Sequence, residues 1–241
     1  VLIELALAAV LAPRFMILGE SPGEAIWHAV FYSISSFNNA GFTPHSDGLV
    51  PYEYDLWVLI PIMAGVFIGS LGFPVIMVLL QSRMRTRRWN LHTKLTVLVS
   101  LILLAAGSVL WALFEWFNQR TIAGMGVGEK ILHAVFASVM MRSGGFSLVD
   151  MADQDASTLL ITDMLMFAGG GSASTAGGIK VTTIAVIFLA IVAEARGDTD
   201  VRAFGRNIPA GALRVAISVV ILGATMVAVA TIGLLVVTEE T

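Results

Sequence analysis

Apolar positions in this chain neither alternate nor keep to one helical face; they run on for the width of a lipid bilayer. Residues 55–80, 95–117 and 212–237 each supply the about 20 apolar positions that a helix needs to cross a hydrocarbon core. A fourth stretch, 157–195, is mostly apolar but contains Gly169, Gly170, Gly171, Ser172, Ala173, Ser174, Thr175, Ala176, Gly177 and Gly178. Glycine and small hydroxylated residues have little helical preference. As one straight helix this stretch would measure roughly 57 Å, against a core of about 30 Å. The pattern therefore predicts two half-helices around an intramembrane loop. Residues 23–37 and 128–141 are also helical in pattern but about half a crossing long, which predicts re-entrant segments.

The two short segments expose an internal repeat. Glu24, Ile26, His28, Ala29, Val30, Phe31 and Ser33 match Glu129, Ile131, His133, Ala134, Val135, Phe136 and Ser138 at one constant offset. After deletion of one residue, Gly41-Phe42 falls on Gly145-Phe146. A unit of helix, re-entrant loop and helix is a common way to build a transport path from duplicated parts. The expected divisions are 1–82, a connection at 83–94, a second unit at 95–195, a connection at 196–211 and an opening helix at 212–241. In this register Val1 falls midway through a first helix, residues 1–11 are too short to cross, and 212–237 lacks a following loop. The polypeptide is expected to extend both ways.

Composition narrows the class. The 241 residues are 57% hydrophobic and 13% charged, so lipid is the expected solvent. The net charge of −3 argues against nucleic acid as a partner. The absence of cysteine excludes disulfides and thiolate metal sites. Arg83, Arg85, Arg87, Arg88 and Lys94 crowd one connection, and Arg196, Arg202, Arg206 and Arg214 the other. The inside-positive bias makes both cytoplasmic. Glu20, Asp47, Glu53, Asp55, Glu129, Asp150, Asp153 and Asp155 flank the re-entrant segments, so these open outward behind an acidic, cation-concentrating rim.

Each half-helix leads into a glycine-containing loop: Asn38, Asn39, Ala40, Gly41, Phe42 and Thr43, then Arg142, Ser143, Gly144, Gly145, Phe146 and Ser147. Both read as extended, strand-like backbone. Irregular backbone at membrane depth persists only where protein buries it or a water-filled cavity borders it. Carbonyls aimed inward by glycine-permitted dihedrals would replace the hydration shell of a potassium-sized cation, and the partially negative helix C-termini would favour the same charge.

These loops, and above all the run from Gly169 to Gly178 with Ile179 and Lys180, resemble the Trk/Ktr/HKT superfamily of potassium transporters. The glycine run is most similar to the Ktr-type membrane subunit, and the resemblance covers essentially the whole chain. It implies an all-α integral membrane fold with repeated helix, re-entrant pore loop and helix units, four to a polypeptide around one ion path. This chain would hold the end of the first helix and the rest of repeat two, repeat three with its broken helix, and the start of repeat four. By position, Asn38 to Phe42 and Arg142 to Phe146 match filter segments, with potassium at Gly41 and Gly145. Gly169 to Gly178, with Lys180, matches an intramembrane gating loop. Implied partners are the lipid bilayer, a second copy in a homodimer and a cytosolic nucleotide-binding ring docked on the basic connections. The implied place is the plasma membrane, a bacterial inner membrane. Potassium is the expected ion, sodium a second candidate, and no organic cofactor is expected.

Single residues carry further expectations. Lys180 either projects into an inner cavity or snorkels to the interface. Arg142, too close to a filter to stand exposed, is expected to pair with an acid such as Asp150 or Asp163. His28 and His133 are expected to pack or bond backbone rather than ligate metal, for want of a converging ligand set. The alternative function is a secondary symporter binding a small solute with sodium at the broken helix. An enzyme is not expected: Ser172 and His133 form no nucleophile motif. Gly177-Gly178-Ile179-Lys180-Val181-Thr182 also separates the glycine, lysine and hydroxyl that a phosphate loop needs together.

Overall fold

The computed structural model describes residues 1–198 and 200–239. Thr199 of the second basic connection, and residues 240 and 241 of the last expected segment, lie outside the described residues. Helices account for nearly all regular structure: α1 (Leu2–Ile17), α2 (Pro22–Phe37), α3 (Leu56–Leu71), α4 (Phe73–Gln81), α5 (Leu91–Glu115), α6 (Val127–Met141), α7 (Ala156–Phe167), α8 (Val181–Arg196) and α9 (Ala210–Glu239). A two-stranded antiparallel ribbon, β1 (Arg202–Ala203) with β2 (Arg206–Asn207), precedes α9. The all-α expectation holds.

Local chemistry sets the helix starts. Ser21 caps α2 with Pro22 in the first turn, and the Glu24 carboxylate closes the box by accepting from the Ser21 amide at 3.2 Å. At the equivalent place in α6, Glu129 Oε2 accepts from the Gly126 amide at 2.8 Å. Asp55 caps α3 through Trp57 N–H at 2.9 Å, and its second oxygen holds Arg14 Nε at 2.7 Å, fastening α1 to α3. At 16 and 15 residues, α2 and α6 measure about 24 and 22 Å, short of a crossing.

Leu11 and Phe15 of α1, Ala29 and Tyr32 of α2, Leu59 and Ile62 of α3, and Phe136 and Val139 of α6 form one core. Trp111, Ile122, Ala134 and Leu165 form a second between α5, α6 and α7. Among the described residues, α5 and α9 are long and apolar enough to cross a membrane, and α3 with α4 makes a third such span. That third span corrects the expectation of one unbroken helix over 55–80, because the chain bends by 100° at Gly72. Gly72 has φ +91°, and Pro74 in the first turn of α4 cannot donate back to α3. The expected break in 157–195 is present as α7 and α8 around the glycine run.

The two basic connections meet at one end, where Lys94 Nζ sits 5.4 Å from the Phe204 ring centroid. The opposite end gathers Glu20 with His28 at 2.8 Å and Glu53 with His133 at 3.6 Å. Helix α9 is exposed along most of its apolar length, with Ala216 buried.

Candidate ion path

Both half-helices end at one place. Beyond α2, Ala40 N–H reaches back to Ser35 C=O at 2.9 Å; beyond α6, Gly144 N–H reaches Met140 C=O at 2.8 Å. These bonds turn the start of each loop sharply, where extended backbone was expected. Asn39 and Ser143, equivalent in the repeat, have φ +52° and +77°; Gly41 and Gly145 have φ +71° and +81°. The two glycines face each other backbone to backbone. A methyl group on Gly41 would come 2.6 Å from Gly145 Cα, and one on Gly145 would come 2.9 Å from Gly41 Cα. Only residues without a Cβ fit both the dihedral and the gap. The carbonyl oxygens of Gly144 and Ala40 lie beside the opposing glycine, and among the described residues Ala40, Gly41, Gly144 and Gly145 accept no hydrogen bond. Four acceptors are thus uncommitted around one contact. Phe42 is 70% exposed while Phe146 is 5% exposed and packs on Tyr32 at 6.3 Å.

The glycine run touches both loops. Thr175 Oγ1 donates to Phe37 C=O at 3.0 Å and lies 3.2 Å from Asn39 Oδ1, while Gly177 N–H donates to Ser143 Oγ at 3.0 Å. It also fills the gap at Gly72: Gly171 N–H donates to Ser70 C=O at 2.7 Å, Thr175 N–H to Gly69 C=O at 3.3 Å, and Phe73 N–H to Ala173 C=O at 3.1 Å. Backbone groups freed in one broken helix are satisfied by the other. A Cβ on Gly170 or Gly171 would lie 2.5 Å from Ser70 O or 2.2 Å from Leu71 O, so the close approach requires glycine. The Lys180 ammonium turns back onto Ala176 C=O at 2.8 Å.

Arg142 has no carboxylate partner among the described residues, which corrects the expected pairing. Asp163 is exposed, and Asp150 Oδ1 accepts from Ala152 N–H. The buried guanidinium instead donates to Ser100 C=O at 2.6 Å, reaches Ser70 Oγ at 3.4 Å and lies 5.9 Å from the Phe67 ring centroid. Neutral oxygens and a ring face stand where an anion was expected.

The histidines divide. His133 bonds backbone as expected, with Nδ1 3.0 Å from Glu129 C=O. His28 packs on Phe15 and His45, and its Nδ1 also meets Glu20 Oε2 at 2.8 Å; with His45 the three side chains bring ligand atoms within 4.8 Å of one another. This converging set, not apparent from sequence spacing, lies at the end opposite the basic connections. Two other features escaped the sequence reading. Gly72-Phe73-Pro74 carried a readable break signal. Glu115, buried at the end of α5, accepts from Asn118, Thr121, Thr158 and the Asp155 amide, and nothing local marks those partners.

Paired half-helices, apposed glycine loops and broken spans make an all-α fold with helices long and apolar enough to cross a membrane. Comparison with known proteins agrees: residues 2–239 match the family model TrkH, cation transport protein. The chain belongs to that family. It is 35% identical over 207 residues to Ktr system potassium uptake protein B of Bacillus subtilis (strain 168), covering 86% of this chain and 46% of that protein. Identity is 34% over 203 residues to the potassium/sodium uptake protein NtpJ of Enterococcus hirae, covering 84% and 44%. It is 40% over 185 residues to Ktr system potassium uptake protein B of Vibrio alginolyticus, covering 76% and 40%. The chain spans about half the length of these relatives. The crystal structure of the potassium transporter TrkH from Vibrio parahaemolyticus shares the fold, with a TM-score of 0.67 and 17% identity over 89% of this chain and 45% of that one. The enzyme reading is set aside, since these relatives are transport proteins.

Proposed function

We propose that this chain forms part of the pore of a potassium uptake system in a bacterial plasma membrane, with sodium as a second candidate ion. The observation that carries the reading is the contact of Gly41 with Gly145, flanked by uncommitted carbonyls at the ends of two half-helices. A dehydrating cation needs several neutral oxygens at once, and these segments offer them without a fixed charge. Residues 38–42 and 142–146 are then two filter segments, carried by repeat two (1–82) and repeat three (95–195), with 212–241 opening repeat four. A neighbouring unit would cover Phe42 as Tyr32 covers Phe146.

The run 169–178 is the gate in this reading. It bonds Phe37, lies beside Asn39 and bonds Ser143, so it lies across the path's inner side, and weak helical preference lets it rearrange. A cytosolic nucleotide-binding ring acting on the basic connections of a homodimer would drive that motion. Both relatives named Ktr system proteins support a multi-component arrangement by their names. The test is isotopic rubidium uptake by the full-length protein in vesicles. Uptake competed by potassium and not by organic solutes is expected, rising when residues 171–176 are shortened. Absence of rubidium flux, or saturable uptake of an organic solute coupled to sodium, would overturn the proposal.

A further inference from the structure

We infer that Glu20, His28 and His45 form a binding site for a zinc-class divalent cation at the acid-rich end of the molecule, separate from the ion path. The three residues come from three segments: the α1–α2 connection, the second turn of α2, and the strap that follows the first glycine loop. Their convergence is tertiary. His28 Nδ1 lies 2.8 Å from Glu20 Oε2, and His45 Nε2 lies 3.7 Å from Glu20 Oε1. One ligand atom from each lies within 4.8 Å of the others. A tetrahedral ion with bonds of about 2.0–2.1 Å holds its ligands about 3.4 Å apart, so closure needs side-chain shifts of about 1 Å.

The surroundings orient the ligands as a metal site requires. Tyr32 Oη lies 2.8 Å from His45 Nδ1 and donates to Gly48 C=O at 3.4 Å. Metal binding through His45 Nε2 would put the imidazole proton on Nδ1, donating to Tyr32, with the phenol proton on Gly48 C=O. Tyr52 Oη donates to Glu20 Oε1 at 3.1 Å and so supports the carboxylate. The rings are held by packing: Phe15 meets His28 edge-on at 6.2 Å, Tyr52 meets His45 at 5.5 Å, and the two imidazoles lie 4.3 Å apart. The ligand side chains are 17 to 25% exposed, open enough for an ion to enter and for water to take the fourth position. Two imidazoles and one carboxylate suit zinc and its neighbours; potassium, magnesium and calcium prefer all-oxygen sets. An occupied site would tie the start of the first half-helix to the strap leaving the first loop.

The test uses the tag-free full-length protein in detergent, stripped with chelator. It is titrated with zinc chloride by calorimetry and with cobalt(II) by visible absorption. One zinc per chain and cobalt bands of tetrahedral intensity are expected. His45→Gln, His28→Asn and Glu20→Gln should each weaken zinc binding at least tenfold, while His92→Gln, on α5, should not. Gel filtration of each variant as a single peak separates lost ligation from lost fold, and the variants lie on three segments so that one misfolded protein does not decide the result. Zinc binding equal in the parent and all three variants, or no binding at millimolar zinc, would overturn the site. Neither outcome bears on rubidium flux, so this inference and the transport reading fail separately.

Discussion

Replacing Gly41 with alanine applies two perturbations at once, and the structure allows them to be separated. At φ +71° an L-residue is strained by about 1–2 kcal/mol. The added methyl would also stand 2.6 Å from Gly145 Cα, where carbon atoms ordinarily approach to about 3.5–4.0 Å. The obstructing atom is backbone, so relief requires the two loops to separate by about 1 Å. Ligand constellations tolerate errors of about 0.5 Å. A tenfold loss of initial rubidium uptake corresponds to about 1.4 kcal/mol, and Gly41→Ala is expected to lose at least that. Gly48→Ala supplies the control: its φ is +62°, with nothing within 4 Å of an added Cβ. It carries the same strain without the collision. Reconstituted full-length proteins at matched amounts should give near-parental uptake for Gly48→Ala and a tenfold or greater loss for Gly41→Ala. Equal uptake by the two variants would refute the claim that the Gly41–Gly145 contact positions the ion path.

Two predictions concern buried polar groups. Arg142→Lys should lower stability by about 2 kcal/mol, read as an earlier melting transition in detergent, because one ammonium cannot span Ser100 of α5 and Ser70 of α3 as the planar guanidinium does; an unchanged transition would mean the span carries no load. Glu115→Gln should cost about 1–3 kcal/mol by the same measurement. Either placement of the new amide sets its NH₂ against a donor: Asn118 Nδ2 at 2.7 Å, whose rotation would break its bonds with Asp153 C=O and Arg120 N–H, or the Asp155 backbone N–H at 2.9 Å. A neutral result would show that the site relaxes around the amide.

Segment lengths and glycine content made much of this fold readable in the chain itself. The half-helices begin and end within a residue of the expected bounds, since Ser21-Pro22 and the glycines beyond Phe37 and Met141 are local signals. The bend at Gly72 was readable too, but uniform hydropathy across 55–80 outweighed Gly72-Phe73-Pro74. Arg142 was misjudged because charge complementarity suggests a carboxylate, whereas its partners are a carbonyl and a hydroxyl 42 and 72 residues away. His45 lies 17 residues from His28 with no periodic relation, so its convergence on Glu20 becomes visible only once the strap folds back over α2. The glycine run was identified by composition, while its bonding to the Gly72 break depends on two distant interruptions coming together.

That mutual bonding has a consequence for any motion of the glycine run. The amides of Gly171 and Thr175 are matched to carbonyls that α3 leaves open. Pulling the segment away would strand donors and acceptors on both partners, at about 1–3 kcal/mol for each group left dry. Retraction and flooding must therefore coincide: the segment can leave the Gly72 break only as solvent arrives to take its seat, and were it the gate proposed above, the same water would stand ready for an ion.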